Sequence, residues 1–193
     1  DLHATGRPGQ AFGSIAGRVP DDLAGTVVEL QGETWTISAA PAEGSWRGSP
    51  VVTDQGRGGR LRRIFADGTQ GLPGTVSAEI EYVLTPAREL VVTSRAAVTA
   101  PTLVDIHPVL RWDLSPDSPV TTDGQRVTVG AAAPRQELVP GVARSVVEGP
   151  VTDRPRRACV LETLHHGPRM EVWTTAPYLE REVGPAPARG VRL

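Results

Sequence analysis

Residues Gly71 to Ser115 read GLPGTVSAEIEYVLTPARELVVTSRAAVTAPTLVDIHPVLRWDLS. A turn carrying Pro73 and Gly74 opens the stretch, and three runs rich in Val, Ile, Leu and Thr follow. They are split by Thr85-Pro86-Ala87 and by Thr99-Ala100-Pro101. In the first run Val76, Ala78, Ile80 and Tyr82 alternate with Ser77, Glu79 and Glu81. A period of two marks a half-buried strand, and Pro-bearing breaks between such runs mark turns. Three consecutive strands with short connections predict an antiparallel meander, the start of an all-β sheet.

The same signals recur on either side. Thr26 to Ile37 is two β-prone runs around Gln31-Gly32, the pattern of a hairpin. Val51-Val52 and Arg60 to Phe65 supply further strand, as does Gln125 to Val129. Arg157 to Leu164 and Arg169 to Thr175 form another expected hairpin around His165-His166-Gly167-Pro168. No window carries a sustained apolar stripe at helical spacing. Residues 1–10 and 184–193 are Gly/Pro-bearing and predict irregular tails. A length of 193 residues is that of a single domain, 1–193, with enough chain to bury a core.

Composition narrows the partners. A net charge of -2 gives no argument for nucleic acid or for an anionic membrane. Every basic residue is Arg, mostly scattered and read as solvated. The single cysteine, Cys159, allows no internal disulfide and no multi-Cys metal site, and lies in the apolar run 158–161 as a small buried hydrophobe. His165-His166 lacks a third ligand and reads as a polar hairpin tip. No metal and no cofactor is expected. No stretch is long and apolar enough to span a bilayer, and no export signal opens the chain, so cytoplasm is the expected compartment.

Gly71-Leu72-Pro73-Gly74, Tyr82-Val83-Leu84, Glu89-Leu90 and Pro101-Thr102-Leu103-Val104-Asp105 together form a frame that resembles the aldose 1-epimerases, the galactose mutarotase-like proteins. Phe12, Gly13, Gly17 and Arg18 match a second block of that family. Glu137 to Gly141, Val146 to Gly149 and Glu171-Val172-Trp173-Thr174-Thr175 with Pro177 match later ones. The resemblance runs in order from about Phe12 to Glu182 and implies a trimmed galactose mutarotase-like antiparallel β-sandwich.

The chemistry within that frame differs. The family's catalytic His falls on Val109, its preceding Asn on Pro108 and a substrate-facing Arg on Asp22. The loop with the second His and the C-terminal part with the catalytic Glu have no counterpart. Mutarotation needs a base for the anomeric hydroxyl and an acid for the ring oxygen, and a valine transfers no proton. Ordinary mutarotase activity is therefore not expected. Leu161-Glu162-Thr163-Leu164-His165 resembles the motif of the family's catalytic Glu, out of its usual order, and makes Glu162 a candidate.

Alternation from Val109 places His107, Arg111 and Asp113 on its face, opposite Ile106, Leu110, Trp112 and Leu114. His107 is a candidate acid or base, and Arg111 a candidate anion binder. The alternative for this face is an exposed sheet surface with an Asp–Arg pair. Val109, Trp173 and Glu180 are the ligand-binding candidates, although Trp in strands is more often core. The expected partner is a small molecule, a sugar or glycosylated compound, bound or isomerised. Two alternatives stay open: a cyclase or isomerase of specialised metabolism on a less polar substrate, and a non-catalytic carbohydrate-binding or structural protein.

Overall fold

The computed structural model describes residues 13–15, 18–39, 45–106, 108–112, 114, 125–129, 136–137, 145–148, 152–163, 168–183 and 191–192. The chain divides into two compact units, one of residues 14–108 and one of residues 1–13 with 109–193. Both are built of strands, and every described register is antiparallel. Only two short 3-10 turns interrupt them among the described residues, Asp21–Leu23 and Thr69–Gly71. The class is all-β and sandwich-like, as the alternation predicted.

After a short strand β1 (Gly13–Ile15), the unit spanning 14–108 holds a hairpin of β2 (Val27–Leu30) and β3 (Glu33–Thr36). Gln31 and Gly32 turn it with φ of 54° and 81°, a pair of left-handed residues that matches the twist of the strands they join. A meander follows: β4 (Arg47–Val52), β5 (Arg57–Phe65), β6 (Val76–Leu84) and β7 (Leu90–Val98), in that order across one sheet. Val76, Ala78 and Ile80 are buried as their spacing required. Phe65, Val76 and Ala78 form one apolar cluster, under Trp46, Val104 and Ile106. Val19, Ile37 and Leu72 form a second, with Val28, Leu30, Trp35 and Leu103 against it. Trp35 and Trp46 are thus packing residues.

The opposite face of the meander is ionic. Glu79 takes Arg62 at 2.7 Å, Arg95 at 3.4 Å and Arg60 at 3.5 Å, and Arg60 also reaches Glu81 at 2.6 Å. The hydrogen bond from Arg62, with Arg60 and Arg95 beside it, holds the Glu79 carboxyl below its ordinary value. On the apolar side burial pushes the Tyr82 hydroxyl up. β5 approaches β6 closely where it carries Gly58: a Cβ there would lie 1.7 Å from the Tyr82 carbonyl oxygen.

The third run of the Gly71 to Ser115 stretch departs from the expected meander. Residues 101–106 form no strand; the run regains the extended ladder only at β8 (Pro108–Trp112), which belongs to a different sheet. The reason lies in Arg18, which ties this segment into a loop–loop junction described below.

The second unit carries β9 (Gln125–Val129), β10 (Gln136–Glu137), β11 (Ser145–Glu148), β12 (Arg156–Thr163), β13 (Arg169–Thr174), β14 (Tyr178–Val183) and β15 (Val191–Arg192). One sheet runs β10–β9–β12–β13 and another carries β8–β15–β14–β11. The β12–β13 hairpin forms where expected; its turn, with His165 and His166, lies outside the described residues. β12 is buried from Ala158 through Leu161, Cys159 included. The irregular tail expected over 184–193 needs a correction at Val191–Arg192, which pairs with both β14 and β8. Residues 1–10 lie outside the described residues.

Candidate functional site

Arg18 is fully buried, unusual for a guanidinium. Its planar fork meets five acceptors: Leu103 O at 3.4 Å, Thr69 O at 3.3 Å, Leu72 O at 3.1 Å, Pro73 O and Thr102 Oγ1. Its own carbonyl accepts from the Asp105 N–H at 2.9 Å. Burial pulls the Arg18 pKa down, and Asp67 nearby pushes it back. Gln70, also buried and at φ 55°, exchanges hydrogen bonds with both backbone groups of Val19, at 3.1 and 3.2 Å. The Asp67 carboxylate accepts the Gly74 N–H. Three segments, 18–19, 67–74 and 102–105, are thereby locked together immediately before the candidate strand β8. Arg18 is a positioning residue that sequence reading treated only as part of a family match. The signal available was an Arg between Gly17 and an apolar Val19, followed later by the Gly-Leu-Pro-Gly turn.

β8 itself is placed by register. Arg111 opposes Arg192 of β15, which opposes Glu182 of β14, so the three occupy one cross-strand row. Two residues along each strand, positions 109 and 180 share that row's face, and Glu180 opposes Val146 of β11. Trp112 falls in the alternate row with Val191 and Val183. Three candidates, Val109, Arg111 and Glu180, are therefore brought to one face of one sheet, and Arg192 and Glu182 join them. His107 and Asp113 lie outside the described residues. Asp22 sits exposed in the first 3-10 turn.

Glu162 and Trp173 lie on the other sheet of this unit. Glu162 opposes Arg169, Val160 opposes Glu171, and Arg157 opposes Trp173 across a register shift between Arg157 and Cys159. The face therefore carries Glu162, Arg169, Glu171, Trp173 and Arg157. Trp173 is 56% exposed, against the burial tendency of its type. Its indole N–H donates to Glu171 Oε2 at 3.1 Å. The other carboxylate oxygen of Glu171 takes Arg169 at 2.6 Å and Arg157 at 3.6 Å. Two cations contact the carboxylate and the carboxylate accepts from the indole N–H, which favours one orientation of the exposed ring. An oriented apolar ring beside charged donors and acceptors can stack on a flat C–H surface and hydrogen-bond its hydroxyls. Glu171 is the residue that sequence reading passed over; its spacing of two from Trp173 was the available sign.

Among the described residues no group of three His, Cys, Asp or Glu is placed to hold a metal ion. No helix among them is long and apolar enough to cross a membrane.

No family model matches the chain. The chain is similar to the aldose 1-epimerase of Escherichia coli (strain K12) and to that of Shigella flexneri, each 30% identical over 104 residues. The similarity covers 49% of this chain and spans 30% of the length of those curated relatives.

Proposed function

We propose that this protein is a divergent aldose 1-epimerase-like protein that binds a sugar or glycosylated small molecule without ordinary mutarotase activity. The observation that carries the reading is Trp173, exposed and pinned by Glu171, in a chain whose relatives are named for an aldose reaction. An aromatic ring stacks on the axial C–H face of a pyranose, and flanking Arg and Glu side chains bond its hydroxyls. Glu162, on the same face, supplies a carboxylate that could take a proton from a hydroxyl of the bound molecule.

The face of β8 is the second half of the proposal. The register aligns Arg111 with Arg192 and Glu182 in one row, a set of residue types suited to polar substituents, and His107 and Asp113 flank it in sequence. Val109 at the position of the family's acid cannot protonate a ring oxygen, which removes the usual route to anomer exchange.

Two measurements on the full chain test this reading. Isothermal titration with glucose, galactose and their methyl glycosides should give binding to at least one of them. Polarimetry should give no enzyme-dependent equilibration of glucose or galactose anomers. Binding to none of the panel would count against sugar as the ligand, and accelerated equilibration would overturn the loss of mutarotase activity.

A further inference from the structure

The two edges of the meander differ. β4 carries Pro50, which lacks an N–H, and Gly48, features that discourage another strand from adding there. β7 is a nine-residue edge strand, LVVTSRAAV, with no Pro, no Gly and one charge. That charge, Arg95, is tied to Glu79 of its own sheet at 3.4 Å. Residues 94–98 are exposed, and no described strand pairs with the outer side of β7.

The hydrogen-bond phase of the ladder identifies the free groups. The Thr99 N–H donates to Thr75 O at 3.1 Å and the Thr85 N–H to Glu89 O at 2.9 Å, so the odd-numbered residues of β7 bond inward to β6. The even-numbered ones, Leu90, Val92, Ser94, Ala96 and Val98, turn their N–H and C=O groups outward. Their side chains share the face of the buried Val76, Ala78 and Ile80. At the ends of that row Leu90 is 40% exposed and Val98 48% exposed, with Leu84 at 54% opposite Leu90.

We propose that β7 pairs antiparallel with β7 of a second copy, about a two-fold axis through Ser94. The sequence is self-complementary in that register. Leu90 opposes Val98 of the second copy, Val92 opposes Ala96, and Ser94 opposes itself; on the ionic face Val91 opposes Ala97 and Thr93 opposes Arg95. Every large residue meets a smaller or equal one, and no like charges stand opposite each other. The even-numbered residues, whose backbone groups are free, become the hydrogen-bonded pairs of the new ladder. The exposed Leu84, Leu90 and Val98 come together over the extended sheet, and the interface is isologous.

The test is sedimentation equilibrium of the full chain with one variant that removes only an outward donor. Ser94→Pro deletes an N–H that faces solvent in the single copy, where an edge proline is tolerated. The native protein should dimerise in the micromolar range, and S94P should weaken dimerisation at least about tenfold with its far-UV circular dichroism unchanged. Ala96→Lys, which places a cation at the paired row, should do the same and decides the matter if S94P does not fold. A native chain that stays monomeric through the micromolar range, or a dimer that survives both substitutions, overturns the proposal. A monomer that instead binds an added peptide of the β7 sequence only weakly assigns the edge to another partner and overturns it equally.

Discussion

Arg18 and Trp173 depart from the ordinary placement of their residue types in opposite directions, each in a different unit. The guanidinium of Arg18 is fully buried among carbonyl oxygens, whereas the indole of Trp173 is 56% exposed beside a carboxylate. Burying a charge costs several kcal/mol unless hydrogen bonds offset it, and here five acceptors do. Leaving a large aromatic in water forgoes burial that would stabilise the fold. The first departure serves architecture, since it fixes the segment leading to β8. The second contributes little to folding and leaves the ring in water, where the proposed function puts a ligand. Arg18 holds a junction of the fold together, whereas Trp173 is left on the surface.

The largest effect should come from the first of these. Arg18→Ala leaves the partly buried Pro73 and Leu103 carbonyl oxygens without the Arg18 donor and Asp67 without its neighbouring cation, and should destabilise the fold by about 3–5 kcal/mol in urea denaturation. Arg18→Lys should recover only part of that, because one ammonium cannot reproduce a planar fork. A loss near zero for R18A would mean that the junction is held by its apolar contacts alone. Gly58→Ala comes next: its Cβ would meet the Tyr82 carbonyl at 1.7 Å, and the resulting backbone shift should cost roughly 1–3 kcal/mol. A neutral G58A would show that β5 and β6 separate freely there.

The ionic ladder should act through pH. The Glu79 carboxyl is held below its ordinary value when folded, so its contribution is present above the unfolded value of about 4.3 and is lost as pH falls through the folded one. Glu79→Gln should therefore flatten the acid limb of the stability profile; an unchanged limb would assign that dependence to other carboxylates. The smallest stability effect belongs to Trp173→Ala. An exposed ring away from the core should change unfolding free energy by no more than about 0.5 kcal/mol. A larger loss would move Trp173 from the binding side of the comparison to the structural side.

Much of the fold was legible because local chemistry and long-range pairing agree in it. Gln31-Gly32 demanded a tight hairpin turn, and the alternation in β6 demanded a covered and an open face; both form. The segment 101–106 was not legible as a loop. Its Leu103 and Val104 pack into different apolar clusters, which imitates strand alternation, but its backbone bonds go to Arg18 and not to a neighbouring strand. No pattern rule assigns a lone Arg to the interior. Val191–Arg192 was hidden by the Pro- and Gly-rich residues before it, since a two-residue strand has no period to read. At the site, the spacing of two between Glu171 and Trp173 implies a shared face, a sign that went unread, and it does not say which face stays open. That depends on what covers the sheet. The alignment of Val109 and Arg111 with Glu180 had no sign in the sequence, because it follows from the pairing of β15 with β8 and β14.

The proposed function makes Trp173 a sugar-binding ring. Saturation-transfer-difference NMR on the full chain, with galactose, glucose and their methyl glycosides, measures that contact directly. Transfer to the ring C–H protons of a bound sugar is expected in the native protein, and its loss in Trp173→Ala, with the variant folded. Transfer that is equally strong without Trp173, or absent with every sugar of the panel, would contradict it.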